Sequence, residues 1–71
     1  MKPQIVIDER LRIGAELKAL RESKGVSMRQ LEAMTGISNS HIARIEGGKY
    51  STGIDIIAAI AAALGAKIRL E

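Results

Sequence analysis

The chain has 71 residues, 11 Lys plus Arg against 8 Asp plus Glu for a net charge of +3, and no Cys. That length builds one thin-cored domain (1–71) with roughly 3–5 kcal/mol of net stability, and the absence of Cys excludes disulfides and thiolate metal sites as a supplement. The lone His41 with no carboxylate cluster argues against a metal or other cofactor, the longest apolar run, Ile56 to Leu64, is too short for a bilayer, and no export signal opens the chain, so the cytoplasm is the expected location.

Lys2 to Ile7 reads as a short extended segment, since Ile5 and Ile7 alternate with Gln4 and Val6 and Pro3 suits an edge. Asp8 then caps a helix from about Glu9 or Arg10 to Ser23, with Ile13, Leu17 and Leu20 as its buried stripe. Lys24-Gly25 ends it. A second helix opens on Ser27 with Gln30 three residues on, the pattern of a reciprocal cap. Leu31 and Met34 face inward and Gly36 closes it. A third helix follows at once, capped by Ser38, with Ile42 and Ile45 inward and Gly47-Gly48 as its stop. Two short helices joined by Thr35-Gly36-Ile37-Ser38 make a helix-turn-helix, spanning about residues 27–47. A fourth helix runs from about Thr52 or Gly53 to Leu64 on a core stripe of Ile54, Ile57, Ile60, Ala61 and Leu64. Its other face, Ile56, Ala59 and Ala63, is also apolar, which predicts cover on both sides. The tail from Ala66 to Glu71 alternates with period two and reads as a strand.

The expected fold is therefore mainly α, four to five helices around a helix-turn-helix, with short strands at the two termini. Within it, the segment from Gly25 to Lys49 resembles the Xre family, the Cro/lambda-repressor-like helix-turn-helix proteins. The G-V-S start, the T-G-I-S turn and the I-E-G-G-K ending carry the resemblance. Leu17, Leu20-Arg21 and the stretch Ile60 to Gly65 extend it over roughly residues 13–65. The resemblance implies a lambda-repressor-like bundle whose second motif helix enters the major groove.

It further implies roles for individual residues. Asn39, Ser40 and Arg44 match the base-facing positions, and their donor and acceptor sets suit base edges. Ser27, Met28 and Arg29 open the second helix, where free N–H groups suit a phosphate. Lys49 and Tyr50 match a second backbone contact, and His41 is a further phosphate candidate. Each of these also reads as an ordinary exposed residue. Arg21 and Glu46 occupy positions that the family pairs as a structural ion pair. One departure is the loop Tyr50-Ser51-Thr52-Gly53, where the family usually has Pro; there Thr52 is a candidate cap for the fourth helix. Family members usually dimerise, and Ile56, Ala59, Ala63, Ile68 and Leu70 are the candidate interface, unless the terminal strands pair within one chain and cover the fourth helix.

The leading expectation is a duplex-DNA-binding transcriptional regulator, a repressor by analogy, acting as a homodimer. A chain with Tyr50 as its only aromatic cannot build the stacking platform of a single-strand or RNA binder. The alternatives are an antitoxin, with Lys67 to Glu71 holding a toxin protein, and an interaction module without DNA binding. An enzyme is disfavoured, because no nucleophile, base and orienting group occur together. No membrane partner is expected.

Overall fold

Four helices follow one another: α1 (Pro3–Ser23), α2 (Met28–Thr35), α3 (Asn39–Glu46) and α4 (Ile54–Ala63). The computed structural model describes residues 2–70; Glu71, the end of the expected terminal strand, and Met1 lie outside the described residues. α1 packs on α3, and α2 packs on both α3 and α4. Leu17, Leu31, Ile37, Ile42, Ile45, Ile60 and Leu64 form the core where these elements meet. Leu31 and Ile42 are wholly buried, each contributing about 1.5–3 kcal/mol of transfer free energy. Among the described residues, no helix is long and apolar enough to cross a membrane, and no three potential metal ligands come together.

The caps explain why α2 and α3 start where they do. Ser27 Oγ accepts from the Gln30 N–H at 3.0 Å, and the Gln30 side chain accepts from the Ser27 N–H at 2.8 Å. Ser38 Oγ accepts from the His41 N–H at 3.2 Å. Replacing Ser27 with Ala removes one half of this reciprocal cap and is expected to cost about 1 kcal/mol, which for a domain of this size lowers Tm by roughly 4–8 °C. Thermal denaturation followed by circular dichroism checks this, and an unchanged Tm would show that the cap contributes nothing.

Four expectations fail at the termini and α4. The extended segment at Lys2–Ile7 is helix: α1 begins at Pro3, a residue whose fixed φ suits the first helical position. Asp8 is interior and accepts a hydrogen bond from the Gln4 side chain at 2.9 Å rather than capping. Val6, Arg10 and Ile13, spaced by four and three, are the half-buried positions, so the period of the helix prevails over a two-residue alternation. The tail expected to be a strand has no regular structure over 66–70. With the N-terminal segment helical it has no strand to pair with, and a lone strand is unstable in water. α4 starts at Ile54 with Gly53 as an N-cap that offers no side chain, so Thr52 does not cap it.

Two residues expected in the core are at the surface: Met34 is 53% exposed and Ile54 69%. Each lies at the end of a short helix, where no other element reaches over it. The second apolar face of α4 is only partly covered. Ile56 and Ala63 pack against the core, whereas Ala59 is exposed.

The contact between α1 and α3 depends on two glycines. A methyl group on Gly14 would lie 2.8 Å from the Glu46 carbonyl oxygen and would also strike that of Ile45. One on Gly48 would lie 2.8 Å from Leu11 Cα, and Gly48 has φ +68°, where a side chain is strained. The backbones therefore approach more closely than any residue with a Cβ would permit.

Candidate nucleic-acid interface

The turn between α2 and α3 determines how α3 is presented. Gly36 has φ +77° and donates its N–H to the Glu32 carbonyl at 2.7 Å, reversing the chain in a single residue. The Thr35 hydroxyl donates to the Leu31 carbonyl at 2.8 Å and accepts from the Ile37 N–H at 3.1 Å. It thus bridges the end of α2 to the first residue beyond the turn, while Ile37 is buried as an anchor. The turn is legible in the sequence; the role of the Thr35 hydroxyl is signalled there only by its place just before a helix-ending Gly.

α3 has two distinct sides. Ile42, Ile45 and Glu46 are buried, whereas Ser40 and Arg44, one turn apart, are exposed, and Asn39 is half-buried beside them. Among the described residues, the Met28 and Arg29 N–H groups in the first turn of α2 have no partner, because Ser27 caps only the Gln30 N–H. Arg29, Arg44 and Lys49 are exposed, and among the described residues none of them is ion-paired. The three cations expected to meet DNA are thus free to do so.

Tyr50, 42% exposed, meets the edge of the His41 ring, with centroids 4.9 Å apart and planes at 84°. His41 Nε2 is buried and has no hydrogen-bond partner among the described residues. This geometry joins the loop after α3 to the first turn of α3, a contact the sequence reading did not anticipate.

Beneath the exposed face, Arg21 of α1 meets Glu46 of α3 in a two-pronged pair. Nε donates to Oε2 at 2.7 Å and one terminal nitrogen donates to Oε1 at 3.1 Å. The other terminal nitrogen donates to the Val26 carbonyl at 2.8 Å. Both residues are buried. The hydrogen bonds to Glu46 hold the Arg21 guanidinium above its already high ordinary pKa, against the opposing effect of burial, so it stays charged at any pH that leaves duplex DNA intact. One side chain thereby ties together the end of α1, the end of α3 and the loop that precedes α2.

Two helices at a tight Gly turn, the second with a polar outer face, define a helix-turn-helix unit. Comparison with known proteins agrees. A family model described as helix-turn-helix matches residues 17–70. Curated relatives include an uncharacterized HTH-type transcriptional regulator of Sinorhizobium fredii, 38% identical over 58 residues, which cover 82% of this chain and 30% of that protein. An uncharacterized HTH-type transcriptional regulator of Mycobacterium tuberculosis is 38% identical over 51 residues, 72% of this chain and 36% of the relative. The crystal structure of the clp gene regulator ClgR from C. glutamicum superposes with a TM-score of 0.79 at 30% identity, covering 83% of this chain and 76% of that one. This chain belongs to the helix-turn-helix family of Cro/C1 type. It spans about a third of the length of the curated relatives it matches.

Proposed function

We propose that this chain is a sequence-specific duplex-DNA-binding transcriptional regulator that reads the major groove with α3 and acts as a repressor. The observation that carries this reading is the outward face of α3: Arg44 and Ser40 are exposed, Arg44 is unpaired, and the helix behind them is held by the buried Arg21–Glu46 pair. A reading helix needs that combination, because base contacts discriminate only when the side chains are held in register. Arg44, Asn39 and Ser40 are assigned to base edges. The free N–H groups of Met28 and Arg29, with the Ser27 cap beside them and the Arg29 guanidinium, are assigned to a backbone phosphate. Lys49 and Tyr50 take a second phosphate, and His41 contributes by bracing Tyr50.

A single unit of this size covers one half-site, so a homodimer is the proposed working form. Ala59, Ile68 and Leu70 are the exposed members of the candidate interface. Ile56 and Ala63 are largely used by the core and contribute only their outer edges.

Selection of bound sites from random duplex DNA at physiological salt tests the reading, with Arg44→Ala alongside the parent chain. The parent is expected to enrich an inverted repeat. Arg44→Ala should lose about 1–3 kcal/mol on that site and relax preference at one base pair of each half. Arg29→Ala should instead weaken all sequences alike and flatten the dependence of log K on log salt by about one unit. Equal effects of the two substitutions on selected and random DNA would refute the division into readers and anchors. No enriched site at all would refute sequence-specific binding.

A further inference from the structure

On the far side of Ile45 from the core, the first turns of α1 and the loop after α3 enclose a cleft of about 320 Å³. Its walls are largely apolar, from Ile5, Val6 and Ile13 of α1, Ile45 of α3 and Ile57 of α4. Tyr50, Ser51 and Thr52 form its polar rim, and Arg10 lies along it. Arg10 Nε is buried and has no hydrogen-bond partner among the described residues. An N–H removed from water with nothing to accept it destabilises the fold.

The one carboxylate lining this cleft does not relieve Arg10. Both oxygens of Glu9 are taken by Arg12, with Nε donating to Oε2 at 2.7 Å and a terminal nitrogen donating to Oε1 at 3.1 Å. Arg12 also holds the Glu9 carboxyl below its ordinary pKa, which keeps that pair intact in neutral solution. The Ser51 and Thr52 hydroxyls likewise make no hydrogen bond among the described residues. The cleft is thus lined by an apolar surface, a half-buried guanidinium with one nitrogen that lacks an acceptor, and uncommitted hydroxyls.

From this arrangement we infer that the cleft binds a small amphiphilic monocarboxylate, with its carboxylate on Arg10 and its aliphatic or aryl body against Ile5, Val6, Ile13, Ile45 and Ile57. A charge-assisted hydrogen bond to a planar carboxylate suits a guanidinium edge better than a neutral acceptor does. The volume is at the low end of small-molecule pockets, which are mostly apolar with a few polar groups to orient the ligand. A dianion is disfavoured, because among the described residues Arg10 is the one cation lining the cleft and Glu9 lines it too. The site goes beyond DNA binding, and its occupancy can be read without DNA. Tyr50 lines the cleft and also touches His41 of α3, so a ligand there meets the same ring that braces the first turn of α3.

Titration of the isotope-labelled chain with octanoate, octanol and inorganic phosphate, followed by protein NMR, tests the inference. Octanoate is expected to give saturable shifts centred on Ile13, Ile45, Tyr50 and the His41 ring. Octanol should bind at least tenfold more weakly, and phosphate should not shift the Ile13 and Ile45 signals, which lie away from the phosphate contact proposed for Tyr50. Arg10→Gln, at a half-buried position that the core does not use, should keep a dispersed spectrum and lose the preference for octanoate over octanol. Equal affinity for octanoate and octanol would overturn the carboxylate assignment. Shifts that do not saturate, that map elsewhere, or that persist unchanged in Arg10→Gln would overturn the site.

Discussion

Replacing Arg21 with Ala is expected to leave the chain largely unfolded at room temperature. The guanidinium makes three hydrogen bonds, two to Glu46 and one to the Val26 carbonyl, within the buried contact of α1 and α3. Its removal leaves the Glu46 carboxylate buried without a partner. Breaking one side of such a pair costs about 3–5 kcal/mol, which equals the whole net stability expected of a chain this short. Glu46→Ala should do the same for the opposite charge. The double substitution Arg21→Met with Glu46→Leu should be far milder than either single one, because it removes both charges and their desolvation cost together. Urea denaturation of the parent, Arg21→Met, Glu46→Leu and the double substitution closes the cycle. A single substitution that leaves the midpoint unchanged would mean that the pair does not hold α3. A double substitution as damaging as the sum of the singles would mean that the lost packing, not the unpaired charge, sets the cost.

The second large effect is expected at Gly14, where two local and tertiary effects have opposite signs. A glycine in the interior of α1 is unfavourable, and Ala in its place would gain about 1 kcal/mol on helix propensity alone. The methyl group would however lie 2.8 Å from the Glu46 carbonyl oxygen and would also strike that of Ile45. These are backbone atoms, so no side-chain rotation relieves the clash. Overpacking of this kind costs about 1–3 kcal/mol and here would push α3 away from α1. The expected net result is destabilisation by up to about 2 kcal/mol, together with weaker pairing of Arg21 with Glu46, whose own backbone carbonyl is displaced. Thermal denaturation decides the sign. A rise in Tm for Gly14→Ala would show that the helices separate freely and that the close approach is not required.

These two positions differ in how far the sequence discloses them. Arg21 and Glu46 could be named as a pair only through the family resemblance, since they stand 25 positions apart and no spacing rule joins them. Gly14 carried no signal at all. In the sequence it is a weak point in a helix, and only the carbonyls of Ile45 and Glu46 give it a purpose. The orphaned Arg10 nitrogen and the contact of Tyr50 with His41 were equally invisible, because each depends on a loop meeting a helix from elsewhere in the chain. The reading of Met34 and Ile54 as core failed for a related reason. Their spacing showed which face of a helix was apolar, but burial also requires another element to cover that face.

What the sequence determined by itself is whatever closes within about four residues. The reciprocal cap of Ser27 and Gln30, the cap of Ser38 on His41, the Gly36 turn and the inward stripe of Leu31, Ile42 and Ile45 are local hydrogen bonds and local periodicities, and all are present in the structure. Only the tertiary structure decided the two ends of the chain. At Ile5 to Ile7 a brief alternation competed with the helical spacing of Val6, Arg10 and Ile13, and the choice depended on whether a partner strand or an adjoining helix was available. α3 supplied a helical neighbour and, among the described residues, no strand lies alongside, so the start of the chain became helix and the tail, left without a partner, formed no ladder.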